Sequence, residues 1–223
     1  MKKHLHSILR WGIYLSGLAL LAAGITLNSL TGLGASAIVS VPFAISQGTG
    51  LNFGNLTLVL YGLFVAAQLF LAGRQRSWSC LLQIPLSILF TRGMNLIKAL
   101  VPYRSGYLPA DLALLILAVL LTGIGAAMTV DMQLIPNPGD GIVYCLSQKT
   151  ERELGLCKNI FDLCCVGTAV LVGAVFGNPF LGVGAGTAVS MLGVGRTISW
   201  FNGHFRGKLL KAAGLASSPI QNS

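Results

Sequence analysis

Six runs of apolar residues, each near 20 long and almost free of charge, constrain this chain more than anything else in it. They cover about Trp11–Leu30, Asn55–Ala72, Trp78–Leu100, Asp111–Val130, Asn159–Phe176 and Phe180–Phe201. A helix of roughly 20 residues crosses the hydrocarbon of a bilayer, and backbone in that medium must satisfy its own hydrogen bonds. Only 9% of the 223 residues are charged, where a soluble domain carries about a quarter. The expected class is an all-α polytopic membrane protein, with one membrane domain over 1–223. Lys2, Lys3 and Arg10 before the first run, and Ala35-Ser36-Ala37 after it, resemble a signal peptide. The run is long for that, and it has a later counterpart that cannot be a signal, so it reads as a retained span.

The net charge of +9 does not point to nucleic acid, because the basic residues are not clustered with interleaved aromatics. They sit where topology signals sit. With the N-terminus in the cytoplasm, the inner segments collect Lys2, Lys3, Arg10, Arg74, Arg76, Lys149, Arg152, Lys158, Arg206, Lys208 and Lys211. The outer segments keep little beyond Arg104, with Lys98 nearby. Positive charge gathers on the cytoplasmic side, so a multi-pass protein of the bacterial cytoplasmic membrane with both termini inside is expected.

Two uncharged or broken stretches interrupt this pattern, Thr31–Gln47 and Met132–Gln148. The second packs Pro136-Asn137-Pro138-Gly139-Asp140-Gly141 between apolar runs, and no straight helix passes through such a sequence. It is either a cytoplasmic surface loop or a re-entrant segment lining a cavity. Asn55 and Asn159, Gly73 and Gly177, and Arg92 and Arg196 each lie 104 positions apart. Ser46-Gln47 matches Ser147-Gln148 at 101, and Gly24-Ile25 matches Gly123-Ile124 at 99. The expected fold is six transmembrane helices as two inverted three-helix repeats with broken or re-entrant segments. The first repeat is about 10–100, the second about 110–201, and a basic cytoplasmic tail covers 202–223. An odd number of spans per half turns the halves upside down relative to each other, an arrangement common in secondary transporters.

Gly17, Gly24 and Leu33-Gly34-Ala35-Ser36 in the first half resemble the YczE/YitT-type family of bacterial integral membrane proteins. So do Ile135-Pro136-Asn137-Pro138-Gly139-Asp140, Leu154-Gly155-Leu156 and Gly177-Asn178-Pro179-Phe180-Leu181-Gly182-Val183-Gly184 in the second. The resemblance runs from about Arg10 to Phe201. The chain departs from it at Ile38-Val39-Ser40-Val41, where relatives often carry an aromatic and an acid, and at Arg92 and Arg196. It supports the fold and implies little about chemistry.

A charge inside the hydrocarbon normally faces a cavity or a partner. Arg92 and Arg196 therefore read either as snorkelling side chains or as paired cationic posts on an anion path. Asp162 falls in the first turn expected for the fifth span, where an acid also suits a helix N-terminus. Asp131 and Asp140 could bind a cation or proton, pair an arginine, or meet water. Gln68, Gln83 and Asn95 suit hydrogen bonds between helices. A cavity near mid-membrane is expected, walled by Gly34–Ser46, Pro136–Ser147 and the third and sixth spans. Its candidate solute-binding residues are Arg92, Arg196, Asp140, Ser36, Ser40, Asn137, Gly139 and Asp162.

Five cysteines with no CxxC, and histidines only at 4, 6 and 204, offer no metal site. No HExxH, GxSxG or P-loop is present, so neither an enzyme nor a cofactor is expected. Gly182-Val183-Gly184-Ala185-Gly186 suits close packing through small residues. The expected function is transport of a small polar or anionic solute by alternating access at the repeat interface. A substrate-binding membrane subunit and a non-transporting accessory or assembly protein are the alternatives. Membrane lipids and an unspecified small solute are the expected partners, nucleic acid is not, and association between copies stays open.

Overall fold

The computed structural model describes residues 2–72, 78–103 and 106–215. Gly73, Arg74, Arg76 and Arg104, used above for the repeat and the charge asymmetry, lie outside the described residues. Every regular element among the described residues is helical. The first half contains α1 (Lys2–Leu30), a 3₁₀ turn (Ala37–Val39), α2 (Ser40–Thr49), α3 (Phe53–Ala72), a second 3₁₀ turn (Trp78–Leu82) and α4 (Gln83–Leu100). The second contains α5 (Leu108–Asp131), α6 (Pro138–Thr150), α7 (Leu154–Val175) and α8 (Ala185–Ala212). A long helix, a short one and two long ones therefore follow each other twice.

Five helices among the described residues are long and apolar enough to span a membrane: α1, α3, α4 with part of the preceding turn, α5 and α7. The sixth expected span differs in both position and composition. Gly182, Val183 and Gly184 stay outside the helix, and Gly184 is extended at its N-cap. α8 begins at Ala185 and runs on through Asn202, His204, Arg206, Lys208 and Lys211. Without Phe180, Leu181 and Val183, and with Arg196 among several Gly, Ser and Thr residues before Phe201, it falls outside the apolar set.

In lipid the hydrophobic effect does not drive helices together, so close packing and hydrogen bonds must. The central pair, α1 and α5, shows how. Gly17 faces Met128 and Gly125, Gly24 faces Thr122 and Ala118, and Gly125 faces the backbone of Gly17 and Leu21. A Cβ at any of these would collide with the partner helix. Since rising numbers in α1 meet falling numbers in α5, the two run antiparallel. α4 lies along α1 in the same direction, with Gly93 toward Ala22. α8 lies along α5 likewise, with Gly123 against Thr197 and Gly193 against Val119. The short helices cross to the other half, α6 packing on α3 and α2 on α7.

One end of the bundle gathers both described termini. Arg10 donates through Nε to the carbonyl of Met132 and through Nη2 to that of Gln133, both at 2.7 Å. Tyr14 donates its hydroxyl to the carbonyl of Ile135 at 2.8 Å. These bonds satisfy carbonyls left over where α5 ends. His6 meets the carbonyl of Ala212 at 2.9 Å, tying the start of α1 to the end of α8. At the opposite end, Tyr103 donates to Asp111 at 2.7 Å beside the start of α5. That bond holds the Tyr103 phenol above its ordinary pKa, because ionising it would forfeit the donor.

Candidate functional site

The two broken stretches become two buried helix starts. Ser36 and Asn137 hold nearly the same backbone angles, φ −59° with ψ 145° and φ −59° with ψ 140°, before their helical turns begin. Pro138 occupies the first position of α6, where its missing N–H is no loss. The Asn137 side chain accepts from the N–H of Gly139 at 3.0 Å and reaches the Tyr61 hydroxyl at 3.4 Å. In the first half, buried Ser40 donates to the carbonyls of Ala37 at 2.7 Å and Cys165 at 3.4 Å. Each short helix thus starts against the third helix of the other half. Met132–Gln148 is a turn followed by a short helix whose start is buried against α3.

A cavity of about 510 Å³ opens beside α6. Leu134, Ile135 and Pro136 form one wall, and Gly141, Tyr144, Cys145, Gln148 and Lys149 form another. Gln68, Leu71 and Ala72 of α3, with Cys80 of the second 3₁₀ turn and Gln83 at the start of α4, complete it. It lies toward the end that holds the termini, since Gln68 is one turn from the end of α3.

Its deepest polar groups are two carboxamides. Gln83 Nε2 donates to Gln68 Oε1 at 2.9 Å, and Gln68 Nε2 donates back to Gln83 Oε1 at 3.1 Å. Gln68 Nε2 also donates to the carbonyl of Pro138 at 3.2 Å. Only 1% of Gln68 and 2% of Gln83 is exposed. Gly141 lies directly against the pair, and a Cβ there would sit 2.6 Å from Gln68 Oε1. A void of about 10 Å³ lies on the far side of Gln83, touched by Tyr14, Tyr61 and Asn137. Gln83 and Pro136 line both spaces.

The candidate residues divide between this place and others. Asn137 and Gly139 belong to the α6 start. Asp140, two-fifths exposed, turns to Lys158 at 4.0 Å and is absent from the cavity lining. Lys158 also meets Asp162 at 3.5 Å. Asp162 is buried in the third turn of α7, not the first, because the helix starts at Leu154. Its N-terminal charge effect is therefore lost, and its Oδ1 has no partner among the described residues. Asp131, also buried, accepts from Arg206 Nε at 3.2 Å. Ser36 and Ser40 lie at the first half's broken stretch, away from the cavity.

Arg92 and Arg196 are exposed on the outside of α4 and α8. Arg92 Nη1 donates to Asn55 Oδ1 at 3.1 Å. The buried stripe of α4 runs Gln83, Ser87, Phe90, Thr91, Met94, and that of α8 runs Gly186, Thr187, Ser190, Thr197, Phe201. Each arginine falls one position off its stripe, so helical phase turns it outward. Sequence reading gave Gln68 and Gln83 only a structural role. Their signal was position: two neutral amides facing each other across the short link between consecutive spans.

The counterpart place in the other half, between α2, α7 and the start of α8, is packed shut. The N–H of Ala35 donates to the carbonyl of Gly182 at 3.3 Å, and that of Gly186 to the carbonyl of Leu33 at 2.8 Å. Gly34 meets Gly184 and Thr187, Gly182 meets Ala44 and Ser40, and Gly48 meets the Phe176 ring. Gly34 adopts φ +104°, a conformation that glycine alone tolerates well. The alternating glycines of 182–186 serve backbone-to-backbone contact, ahead of a helix as much as within one.

The chain matches a family of unknown function (DUF6198) over residues 8–203 and belongs to that family. No curated protein and no solved structure matches it.

Proposed function

We propose that this member of the DUF6198 family is a membrane transporter of a small polar solute, built from two inverted halves that expose a central site to either side in turn. The observation that carries the reading is an asymmetry. A cavity reaches two buried carboxamides from the end that holds the termini, while the equivalent place at the other end is closed by the glycine contacts of Leu33–Ala35 with 182–186. Equivalent places in opposite states are what one snapshot of alternating access presents. The antiparallel α1 and α5, the twice-used order of helices and the crossed packing of α2 and α6 support the inverted repeat. α8 serves as the sixth span through about Phe201, and its basic remainder projects beyond the membrane.

Arg10, Lys149, Arg206, Lys208 and Lys211 share the cavity's end of the bundle, which supports a cytoplasmic placing for that end and both termini. The YczE/YitT-type resemblance fits the same architecture and a bacterial cytoplasmic membrane. Both arginines stand outside the cavity, so the solute is better read as neutral than anionic. The site is then the cavity with the α6 start, including Asn137 and Gly139, and Ser36 and Ser40 are the matching elements for the opposite opening. Purified protein reconstituted in liposomes and screened with radiolabelled neutral and anionic solutes should show saturable, protein-dependent uptake of a neutral one. No uptake across the panel, with a rigidly closed second side, would favour the accessory-protein reading.

A further inference from the structure

The paired glutamines give the cavity a chemical preference. We infer that it binds small neutral solutes carrying an N–H donor beside a C=O acceptor on one edge, such as a primary amide, urea or lactam, and that such a solute takes the place of one glutamine in the Gln68–Gln83 pair. This rests on the cavity being a solute site.

Each carboxamide in the pair presents a donor and an acceptor side by side, and each is satisfied by the same edge on its partner. The arrangement is self-complementary, so a third group with that edge can take the place of either member and make the same two bonds to the one that stays, while the displaced carboxamide turns to water in the cavity. Gln68 keeps its second bond, to the carbonyl of Pro138, throughout. Gln83 Nε2 makes no second hydrogen bond among the described residues, so it is the freer partner and has a hydrogen to offer. A solute lacking the donor would leave a buried carboxamide oxygen unpaired, and a site built for hydrogen bonds rejects such analogues strongly. An anion gains little here. Among the described residues Lys149 is the only charged one in the lining, and it lies two turns beyond Gly141, toward the end of α6. A charge carried to the glutamines would be taken out of water with no opposite charge beside it. Gly141 completes the design, since its missing side chain leaves room for the amide pair.

The test uses the full chain, purified in detergent, with 2-pyrrolidinone and N-methyl-2-pyrrolidinone. These share ring and carbonyl and differ in the donor alone. Saturation-transfer NMR titrations should give a Kd at least tenfold weaker for the N-methyl compound. Saturating 2-pyrrolidinone should also slow alkylation of Cys145, which lines the cavity. With both glutamines changed (Gln68→Leu with Gln83→Leu) the ratio of the two Kd values should fall to near one, while Gln83→Leu alone leaves Gln68 to pair and should keep it. Equal binding of the two lactams by the unaltered protein overturns the inference, as does binding of neither. Binding that leaves Cys145 alkylation unchanged overturns it too, by placing the ligand elsewhere. The unaltered protein decides these outcomes even if the double variant does not fold. Uptake of a neutral solute without discrimination between the lactams would sink the ligand class and leave transport standing. Discrimination without any uptake would do the reverse.

Discussion

Ser46 and Ser147 make the same bond from the same place. Each hydroxyl donates at 2.7 Å to the carbonyl five residues ahead, Leu51 for Ser46 and Arg152 for Ser147. Each backbone carbonyl accepts from a left-handed residue that ends the short helix, Gly50 and Glu151. The match at an offset of 101 is thus a shared helix ending. The two bonds differ in burial, since Ser147 is buried and Ser46 is not. Ser147→Ala should therefore cost about 1 kcal/mol of stability and Ser46→Ala clearly less, because only a buried loss leaves a carbonyl poorly solvated. Thermal unfolding in one detergent measures both, and equal effects would count against the burial difference.

Glu151 holds φ +53°, a conformation that costs a side chain about 1–2 kcal/mol and glycine almost nothing. Glu151→Gly should raise the unfolding midpoint, and Gly50→Glu, at φ +76°, should lower it. A lower midpoint for Glu151→Gly would show that the carboxylate itself does something the ending needs.

Orientation has its own measurement. In a background without the native cysteines, a cysteine at Gly50 should react with an impermeant maleimide added outside the cell. One at Glu151 should react only after the membrane is opened. The reverse pattern would turn the whole molecule over and put the cavity on the outer face.

Much of this layout is legible in the sequence, for physical reasons. Clustered proline and glycine break helices, so both broken stretches show themselves, and Gly17 and Gly24 sit where helices must approach closely. Which way a side chain turns is harder. Arg92 and Arg196 look intramembrane by position, yet one step of 100° around the helix decides between cavity and lipid. Asp162 loses its terminal role because α7 starts at Leu154, and the charged stretch before it gives no sign of that. The Gln68–Gln83 pair depends on how two helices meet across a link, and periodicity is silent on it. Nor does periodicity show that the cavity lies beside α6 and not beside α2.

If the glycine contacts between Leu33–Ala35 and 182–186 act as a closed gate, forcing them apart should open it. Gly184 is the position to change. Its φ of −163° is extended backbone open to any residue, so only the contact with the Leu33 carbonyl resists a side chain. With Ser40→Cys as the reporter, Gly184→Ala should raise its labelling from the Gly50 side several-fold and lower that of Cys145 in the cavity. Unchanged labelling at both positions would mean the seam is a fixed joint, and the two-sided access reading would lose its main support.

Gly141→Ala separates stability from function at the amide pair. A glycine inside a helix costs about 1 kcal/mol relative to alanine, so the exchange should strengthen α6 on its own account. Against that, the new methyl would press on Gln68 Oε1 and on Gln83 Nε2, which a Cβ would approach to 3.0 Å. Those atoms are the ends of flexible side chains, so they can move, and the pair opens without a clash in the backbone. The gain in helix propensity and the loss of part of a buried hydrogen bond, again about 1 kcal/mol, roughly cancel. The unfolding midpoint should therefore stay close to that of the unaltered protein, while 2-pyrrolidinone binding weakens tenfold or more and uptake falls with it. A stable Gly141→Ala protein that binds and transports as before would show that the glutamines merely hold α3 to α4. A protein that loses binding only in proportion to its stability would say the same.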